Sequence, residues 1–397
     1  MRMGSPGPTR FRAWTSLLAM SGILVGAPGQ GAVRIGTDRP RADPMADAIG
    51  YAKLVAEYEQ GDPDRAVREI VTWQPDVVLQ VLNGVESARL AESGEIVQLK
   101  AVLASLPAAV MLHTEAGLRQ NWRGSADAGI HWGYAQRLAQ LSLGRKQDPF
   151  LRSWYHALGL FFLGSYGVRD AISLLDGALE RFPDDAAIAL ALGQAHEALG
   201  TFSEGQILSV RPDPSGEARQ ELGRAEELYR DLLARHAALG EARLRLGRVL
   251  QISGRAEPAF AELRRVAATA EDTRLRYLAH LFIADQLRRE SRLPESRDEF
   301  SQALEAWPGA QAAALGLAEA LRSMGHRGEA ASSLVLALRE RGQALGEDPF
   351  RSYSFGNRAE QRRLLEGVKA MARGTESPKT SSGRARCAPM LTADADS

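Results

Sequence analysis

Apolar residues recur at intervals of three and four along most of the chain, from about residue 46 to residue 373. This spacing places them on one face of an α-helix, whereas strict alternation would indicate a half-buried β-strand. The nearest approach to an apolar strand is residues 207–210, which is too short to build a sheet. The pattern therefore predicts an all-α fold.

One arrangement of residue types occurs twice at full length. In residues 152–185 it comprises Tyr155, Leu158, Gly159, Phe162, Ala171, Leu175, Ala178 and Pro183. In residues 277–310 it comprises His280, Ile283, Ala284, Leu287, Ser296, Phe300, Ala303 and Pro308. The first residue and the proline are 28 positions apart in both segments, which indicates an internal repeat.

Three further units share the start of this arrangement. Its small residue falls at Gly159, Gly193, Gly247, Ala284 and Ala318. These positions are 34, 54, 37 and 34 residues apart, so the period is 34 with insertions of 20 and 3. We predict an array over residues 148–345, with units at about 152–185, 186–239, 240–276, 277–310 and 311–344. The longer insertion, residues 201–217, is either a tolerated surface loop or a loop that grips a partner.

Each recurring residue type has a physical reason. Two helices approach most closely where their side chains are smallest, so we expect helix crossings at Gly159, Gly193 and Gly247. A positive φ ends many helices, and we expect it between the helices of a pair at Gly200, Gly254 and Gly325. Proline cannot continue a helix, so the second helices should stop at Pro183 and Pro308.

These residues resemble the tetratricopeptide repeat, whose signature is W-x2-L-G-x2-Y, then A-x3-F, then P. The resemblance implies antiparallel helix pairs stacked into a right-handed α-solenoid. It also implies that the first helix of each pair lines a concave groove, into which the side chains after the small residue project. The function it implies is binding of a protein or peptide.

The resemblance also points to particular groove positions, immediately after the small residue and one turn later. The partner-binding candidates are Leu160, Gln194, Glu197, Arg248, Gln251, Asp285, Arg288, Glu319 and Arg322. The series begins apolar and continues with mixed charges, which suits charged hydrogen bonds to an extended peptide or a partner helix. The alternative is that these residues form ordinary solvated helix faces.

The N-terminal end differs from the array. Residues 1–29 combine three arginines with an apolar run at 13–27, the pattern of a signal peptide with cleavage after Gly29. We therefore expect a bacterial protein in the periplasm or cell envelope, with a cytoplasmic location as the alternative. Residues 30–45 predict a linker. Residues 46–147 predict an irregular helical region, made of degenerate repeats or forming an N-terminal cap.

The C-terminal end also departs from the repeat. Asp348, Pro349 and Phe350 interrupt the array, and residues 346–373 predict a C-terminal capping region with an amphipathic helix at 358–373. We expect this helix to cover the open end of the solenoid, which otherwise exposes apolar surface. Residues 374–397 are rich in Ser, Thr and Pro and predict a disordered tail.

Charge and motif content exclude other classes of function. The chain has 49 basic and 49 acidic residues, whereas a nucleic-acid-binding protein needs a basic excess. The single cysteine, Cys387, excludes four-cysteine zinc sites. No phosphate-binding loop, nucleophile elbow or metal-binding motif occurs. We expect no catalytic residue, cofactor, metal or transmembrane segment in the mature chain, and the oligomeric state stays open.

One alternative assigns chemistry to residues 46–147. His113, Glu115, His131 and Trp132 are the one cluster there with candidate metal or acid–base groups. In this interpretation the region is an enzyme or ligand-binding module, and the repeat array is its docking handle. Widely separated histidines, or histidines in apolar surroundings, would argue against it. End-to-end self-assembly is a further alternative, which a capped solenoid would disfavour.

Overall fold

The computed structural model of the chain describes residues 43–90, 97–122, 125, 127–141, 148–165, 167–201, 216–340 and 347–375. Contacts divide the chain into residues 1–43 and 44–397, and the described residues other than Asp43 belong to the second unit. The predicted signal peptide, most of the predicted linker, the insertion between residues 202 and 215 and the predicted tail beyond residue 375 lie outside the described residues.

Within these described ranges the chain forms eighteen α-helices and no β-strand, which confirms the predicted all-α fold. The first six are α1 (Pro44–Gln60), α2 (Pro63–Ile70), α3 (Pro75–Leu90), α4 (Val97–Ala104), α5 (Leu106–Trp122) and α6 (Ala128–Leu141). α1 begins inside the predicted linker because proline suits the first turn of a helix. α1 pairs with α2 and α5 with α6, while α3 and α4 interrupt the pairing. This is the irregular helical region that the sequence predicted.

The array follows as five consecutive helix pairs in the described part of the chain. They are α7 (Pro149–Gly164) with α8 (Val168–Arg181), α9 (Ala186–Thr201) with α10 (Gly216–Arg235), α11 (Gly240–Ile252) with α12 (Ala256–Thr269), α13 (Thr273–Arg289) with α14 (Leu293–Ala306), and α15 (Gln311–Ser323) with α16 (Arg327–Glu340). Each helix packs against the next, and the first helices of neighbouring pairs also touch. This stacking is that of an α-solenoid.

The glycines expected at the helix crossings do lie there. A β-carbon would stand 2.5 Å from the side chain of Leu175 at Gly159, 2.5 Å from Tyr229 at Gly193 and 2.7 Å from Leu263 at Gly247. Such distances are well inside van der Waals contact, so a β-carbon at any of these positions would force the facing side chain of the second helix to move. α8 ends at Arg181 and α14 at Ala306, two residues before the predicted stops at Pro183 and Pro308.

The turns inside the pairs agree with the prediction at two positions and differ at a third. Gly254 and Gly325 have φ of 76° and 88°. Gly200 instead belongs to α9, and a β-carbon there would lie 2.8 Å from Leu222. Its role is close packing against α10 rather than chain reversal, because α9 continues to Thr201. Ser291 takes the corresponding turn after α13, with φ of 61°.

The predicted C-terminal helix is present as α18 (Arg358–Ala372), preceded by the short α17 (Pro349–Tyr353). Its location differs from the prediction, because its main contacts are with α7 and α5, at the other end of the array from α16. Its most buried side chains lie on one helical face: Gln361, Leu365, Val368 and Ala372. The physical reason is that the inner side of α7 is apolar. Half-buried Leu160 belongs to the same cluster as this face.

Gly164 at the end of α7 permits this docking, because a β-carbon there would lie 2.3 Å from Oε1 of Gln361. One continuous core joins α1–α9 to α18. Among the described residues, no single helix has both the length and the apolar composition of a membrane span; α4 and α5 reach both only when taken together, across a 79° bend.

Candidate functional site

The first helices of the five pairs form one continuous surface, α7, α9, α11, α13 and α15, which we call the inner face. Residues 347–372, which we call the C-terminal segment, lie against it. The segment runs backwards along the array: Asp348 contacts α13 and α15, Tyr353 contacts α9 and α11, and Lys369 reaches α5. The inner face therefore already holds a peptide segment, contributed by its own chain.

The carboxylate of Asp348 lies between α13 and α15. Its Oδ1 accepts hydrogen bonds from the Tyr277 hydroxyl at 2.7 Å and from the Phe350 amide at 2.9 Å. Its Oδ2 accepts from the amide of Ala312 at 2.9 Å, in the first turn of α15. Amides in a first helical turn lack intrahelical partners and favour a negative charge. Three donors thus hold this carboxylate, which is only 8% exposed.

The Tyr277 hydroxyl is held protonated for this contact. Burial, and then the neighbouring Asp348 carboxylate, raise the pKa of Tyr277 far above its usual value. A protonated phenol can donate to a carboxylate, whereas a phenolate would repel it. The Tyr277 hydroxyl and the Ala312 amide therefore form a fixed anion-binding point on the inner face.

The side chain of Tyr353 fills a polar slot between α9 and α11. Its hydroxyl donates to Oε1 of Glu197 at 2.6 Å, and its backbone carbonyl accepts from Nη2 of Arg245 at 2.9 Å. The Arg245 guanidinium lies 4.4 Å from the centre of the Tyr353 ring, a cation–π distance. Phe282 of α13 meets the ring edge-on, with centroids 5.1 Å apart. Only 6% of Tyr353 is exposed.

The slot is charged and almost dry. Glu197 and Arg245 are 4% exposed each, and Oε2 of Glu197 accepts from Arg245 Nη1 at 3.1 Å and from the Tyr229 hydroxyl at 2.8 Å. Burial acts to lower the pKa of Arg245, but Glu241 and further acidic neighbours outweigh it and hold the pKa well above its usual value. Burial, and then Glu197, raise the pKa of Tyr353 far above its usual value. The slot thus presents one fixed acceptor and one fixed cation to a phenol.

A second group of predicted residues borders the slot. Nη1 of Arg248 donates to Oε1 of Gln251 at 2.7 Å, and Gln251 donates to the backbone carbonyl of Phe282 at 2.9 Å. The Arg248 guanidinium lies 4.6 Å from the centre of the Phe282 ring. Arg248 and Glu197 also line a cavity of about 150 Å³ beside Phe350. The C-terminal segment therefore leaves this part of the inner face incompletely filled.

Three further predicted residues form a ladder of ion pairs beyond the slot: Asp285, Arg288 and Glu319. Asp285 pairs with Arg288 at 2.9 Å, and Arg288 continues to Glu319 at 3.3 Å. Burial acts to raise the pKa of Asp285, but the surrounding arginines, Arg289 foremost, lower it below its usual value. Glu319 and Arg322 are exposed. This end of the inner face is solvated and charged.

The two predicted residues nearest the start of the array, Leu160 and Gln194, are half-buried. Sequence reasoning placed Glu197, Arg248 and Gln251 on the face that holds the segment, but it missed Arg245, Tyr277, Asp348 and Tyr353. Arg245 carried a usable signal, since a charged residue inside the apolar stripe of α11 requires buried partners. The contacts of Asp348 and Tyr353 carried none, because they join residues up to 156 positions apart.

The histidines of the N-terminal region are close together. Nδ1 of His113 lies 3.0 Å from Nδ1 of His131, and Nε2 of His113 lies 3.0 Å from the Tyr51 hydroxyl. Burial lowers the pKa of His131 to about 4, and burial followed by His131 lowers the pKa of His113 well below its usual value. Both ring nitrogens of the fully buried His113 are thus engaged inside an aromatic cluster.

The rest of that cluster does not complete a reactive site. Glu115 bonds outside it, to Tyr58 and Lys369, and the indole of Trp132 packs against Gly117. Across the described residues, no three His, Cys, Asp or Glu side chains are grouped so that they could hold a metal ion. The geometry favours a structural role for both histidines.

Stacked antiparallel helix pairs with glycine at their crossings and a polar inner face define a helical-repeat protein of the α-solenoid class. The family model described as tetratricopeptide repeat matches residues 157–205, which cover α9 and most of the first pair. The chain thus contains a match to the tetratricopeptide repeat within the array, in agreement with the resemblance seen in its sequence pattern. No curated protein matches it.

Several solved structures are similar to part of this chain at low identity. MamA 41-end from Desulfovibrio magneticus RS-1 is 18% identical, covering 51% of this chain and 99% of its own, with a TM-score of 0.38. Pseudomonas aeruginosa PilF is 19% identical, covering 56% and 87%, with a TM-score of 0.39. MamA of MSR-1 is 19% identical, covering 48% and 97%, with a TM-score of 0.35.

Proposed function

We propose that this protein is a non-catalytic scaffold that binds a segment of a partner protein along the inner face. One observation carries the proposal: the inner face already binds a peptide segment, through side chains of three different first helices. Glu197, Arg245 and Tyr277 meet a phenol, a backbone carbonyl and a carboxylate of that segment. A surface that recognises these groups in its own chain has the chemistry to recognise them in another.

The charged ladder supports the same function. Arg288 pairs with Asp285 and Glu319, and Arg288 and Glu319 are each partly open to solvent. Exposed ion pairs contribute only about 0–1 kcal/mol, so their side chains exchange one partner for another at little cost. The ladder therefore extends the binding surface toward α15 without a strong internal competitor.

We propose that the protein carries out this role in the bacterial periplasm or cell envelope. The support is the sequence of residues 1–29, with basic residues, an apolar run and small residues in the order of an export signal. The mature protein then begins after Gly29. An uncleaved chain in the cytoplasmic fraction would contradict this location.

Affinity recovery from an envelope extract of the native host tests the function, with N-terminal sequencing of the recovered chain to test export. We expect the chain with Arg288→Glu and Arg322→Glu to lose at least one partner that the wild type recovers. Both positions then present a negative charge where the partner met a positive one, and charges that no longer complement each other weaken binding. The matched control is Arg219→Glu with Arg265→Glu, the same change of charge at exposed positions on second helices. Equal recovery by all three chains would show that the ladder is not the binding surface.

A further inference from the structure

The inner face binds residues 347–354, which we call the groove segment, at two points of different chemistry. We propose that the groove segment is an internal ligand that a partner displaces, and that the partner presents a carboxylate followed two and five residues later by aromatic side chains, the last a tyrosine. This inference rests on the proposed function and names its ligand class. It also makes the scaffold self-inhibited.

The first point accepts the carboxylate. In the groove segment it is filled by Asp348, held by the Tyr277 hydroxyl and the Ala312 amide. An apolar side chain at this position would leave both donors buried without an acceptor, and an amide side chain would place its own N–H donor opposite one of them, so either change is costly. The partner therefore needs Asp or Glu here.

The second point accepts a tyrosine in preference to a phenylalanine. The buried Glu197 carboxylate receives the Tyr353 hydroxyl at 2.6 Å, and the Arg245 guanidinium lies over the ring. A phenylalanine would fill the slot but leave Oε1 of Glu197 without this donor. Sites that hydrogen-bond a ligand hydroxyl reject the analogue lacking it, because the buried acceptor is left unpaired. The slot thus supplies specificity as well as contact area.

The aromatic position between these points is loosely filled. Phe350 follows Asp348 by two residues, contacts Phe282 with ring centroids 6.2 Å apart, and is 41% exposed. The cavity of about 150 Å³ lies beside it, against Ile252 and Thr201. A larger aromatic side chain in the partner would fill this space and gain contacts that the groove segment does not make.

The groove segment and α18 are held in different ways. The groove segment is held by hydrogen bonds, ring contacts and one buried aromatic side chain, Tyr353, and its helix α17 has only five residues. α18 buries Leu365 and Val368 in the main core. A partner that presents a carboxylate and a tyrosine can replace these contacts, whereas removing the buried leucine and valine of α18 exposes apolar surface. We infer that α18 stays in place as the anchor while the groove segment leaves the inner face.

The groove segment competes with any added peptide, and its covalent attachment to the array favours it in this competition. A segment held next to its site by a short connection acts at an effective concentration in the millimolar range, so a free peptide of the same sequence competes poorly. Weakening the groove segment within the chain should therefore raise the affinity for the same sequence added from outside.

The test uses the full chain and a fluorescent synthetic peptide of residues 347–357 as the probe, with binding followed by anisotropy. We expect the chain with Asp348→Ala and Tyr353→Ala to bind the probe at least about tenfold more tightly than the wild type, because the competitor is removed while the site is intact. The control chain, Arg351→Ala, changes an exposed side chain of the same short helix and should bind like the wild type. A probe carrying Tyr353→Phe should bind the doubly substituted chain about tenfold more weakly.

Hydrogen exchange on the wild-type chain provides a test that does not depend on folding of a variant. Saturating probe should speed exchange at the amides of residues 350–356 and leave those of residues 361–372 unchanged. Two results would contradict the proposal that the groove segment is an internal ligand. One is an exchange rate at residues 350–356 that does not change when the probe is added. The other is equal probe affinity for the wild-type chain and the folded, doubly substituted chain. Those results do not affect the proposed scaffold function, because that function is tested separately, by whether the wild-type chain recovers a partner from the envelope extract.

Discussion

The turn between the helices of a pair is decided by single residues. After α11 and α15 the chain reverses through Gly254 and Gly325, both at positive φ. After α13 the same reversal is made by Ser291, with φ of 61° and the same pattern of hydrogen bonds, Arg292 amide to Leu287 carbonyl at 2.9 Å. A residue with a β-carbon pays about 1–2 kcal/mol in this conformation, and glycine does not.

Ser291→Gly should therefore stabilise the protein. The relief of the left-handed conformation exceeds the extra freedom that glycine gives the unfolded chain, so we expect a net gain of about 0.5 kcal/mol. The measurement is the thermal midpoint followed by circular dichroism. The reverse change at the equivalent turn, Gly254→Ser, should lower the midpoint by a similar amount. A lower midpoint for Ser291→Gly would mean that the serine side chain contributes more than its exposed position indicates.

At the scale of the helix, the array depends on how closely the two helices of a pair approach. Gly193 of α9 lies against the ring of Tyr229 in α10, while Gly223 of α10 has no neighbour near its missing β-carbon. Both are interior helix glycines, so they differ in packing and share the same weak intrinsic helix propensity. Comparing Gly193 with Gly223 thus separates the effect of close packing from the effect of helix propensity.

Gly193→Ala and Gly223→Ala should have opposite signs. The first forces Tyr229 away from α9, and overpacking of this kind costs about 1–3 kcal/mol, more than the gain in helix propensity. The second should stabilise by up to about 1 kcal/mol because nothing opposes the added methyl group. Denaturant midpoints of the two variants and the wild type provide the comparison. If both variants shift in the same direction, close packing at Gly193 does not limit the pair.

At the scale of the molecule, the C-terminal segment makes contacts that a linear array otherwise lacks. In a solenoid each repeat touches only its neighbours. Here Asp348 is bound at α13 and α15, whereas Lys369 pairs with Glu115 of α5 at 2.9 Å. The segment thereby links the last repeats, the first repeat and the N-terminal helices, and it adds long-range cooperativity to the array.

Truncation tests this link. A chain ending at residue 346 loses the buried Leu365 and Val368, each worth about 1.5–3 kcal/mol, and leaves the face of α7 open to water. We expect its thermal midpoint to fall by several degrees and its unfolding to become less cooperative. A chain ending at residue 375 retains α18 and serves as the control, with an unchanged midpoint. Equal midpoints for the two truncated chains would contradict a stabilising role for α18.

Prediction from sequence succeeded where the signal was local or periodic. The glycines at 159, 193 and 247 were placed correctly because a fixed position in every repeat meets the same crossing. Gly200 was assigned to a turn wrongly, because a glycine near a helix end fits either chain reversal or close packing, and only the neighbouring Leu222 decides between them. The same fixed register placed Glu197, Arg248 and Gln251 on the inner face. Repeat register gives the face of a residue but not its partner.

By itself, the sequence determined that the chain forms helices, that the helices pair with a period of 34, and which small residues meet at the crossings. Only the tertiary structure decided where the C-terminal helix packs and what occupies the inner face. Tyr353 and Glu197 are 156 positions apart and share no period, so nothing in the linear pattern relates them. Their contact depends on the face that α7, α9, α11 and α13 build together, and that surface exists only after the pairs have stacked.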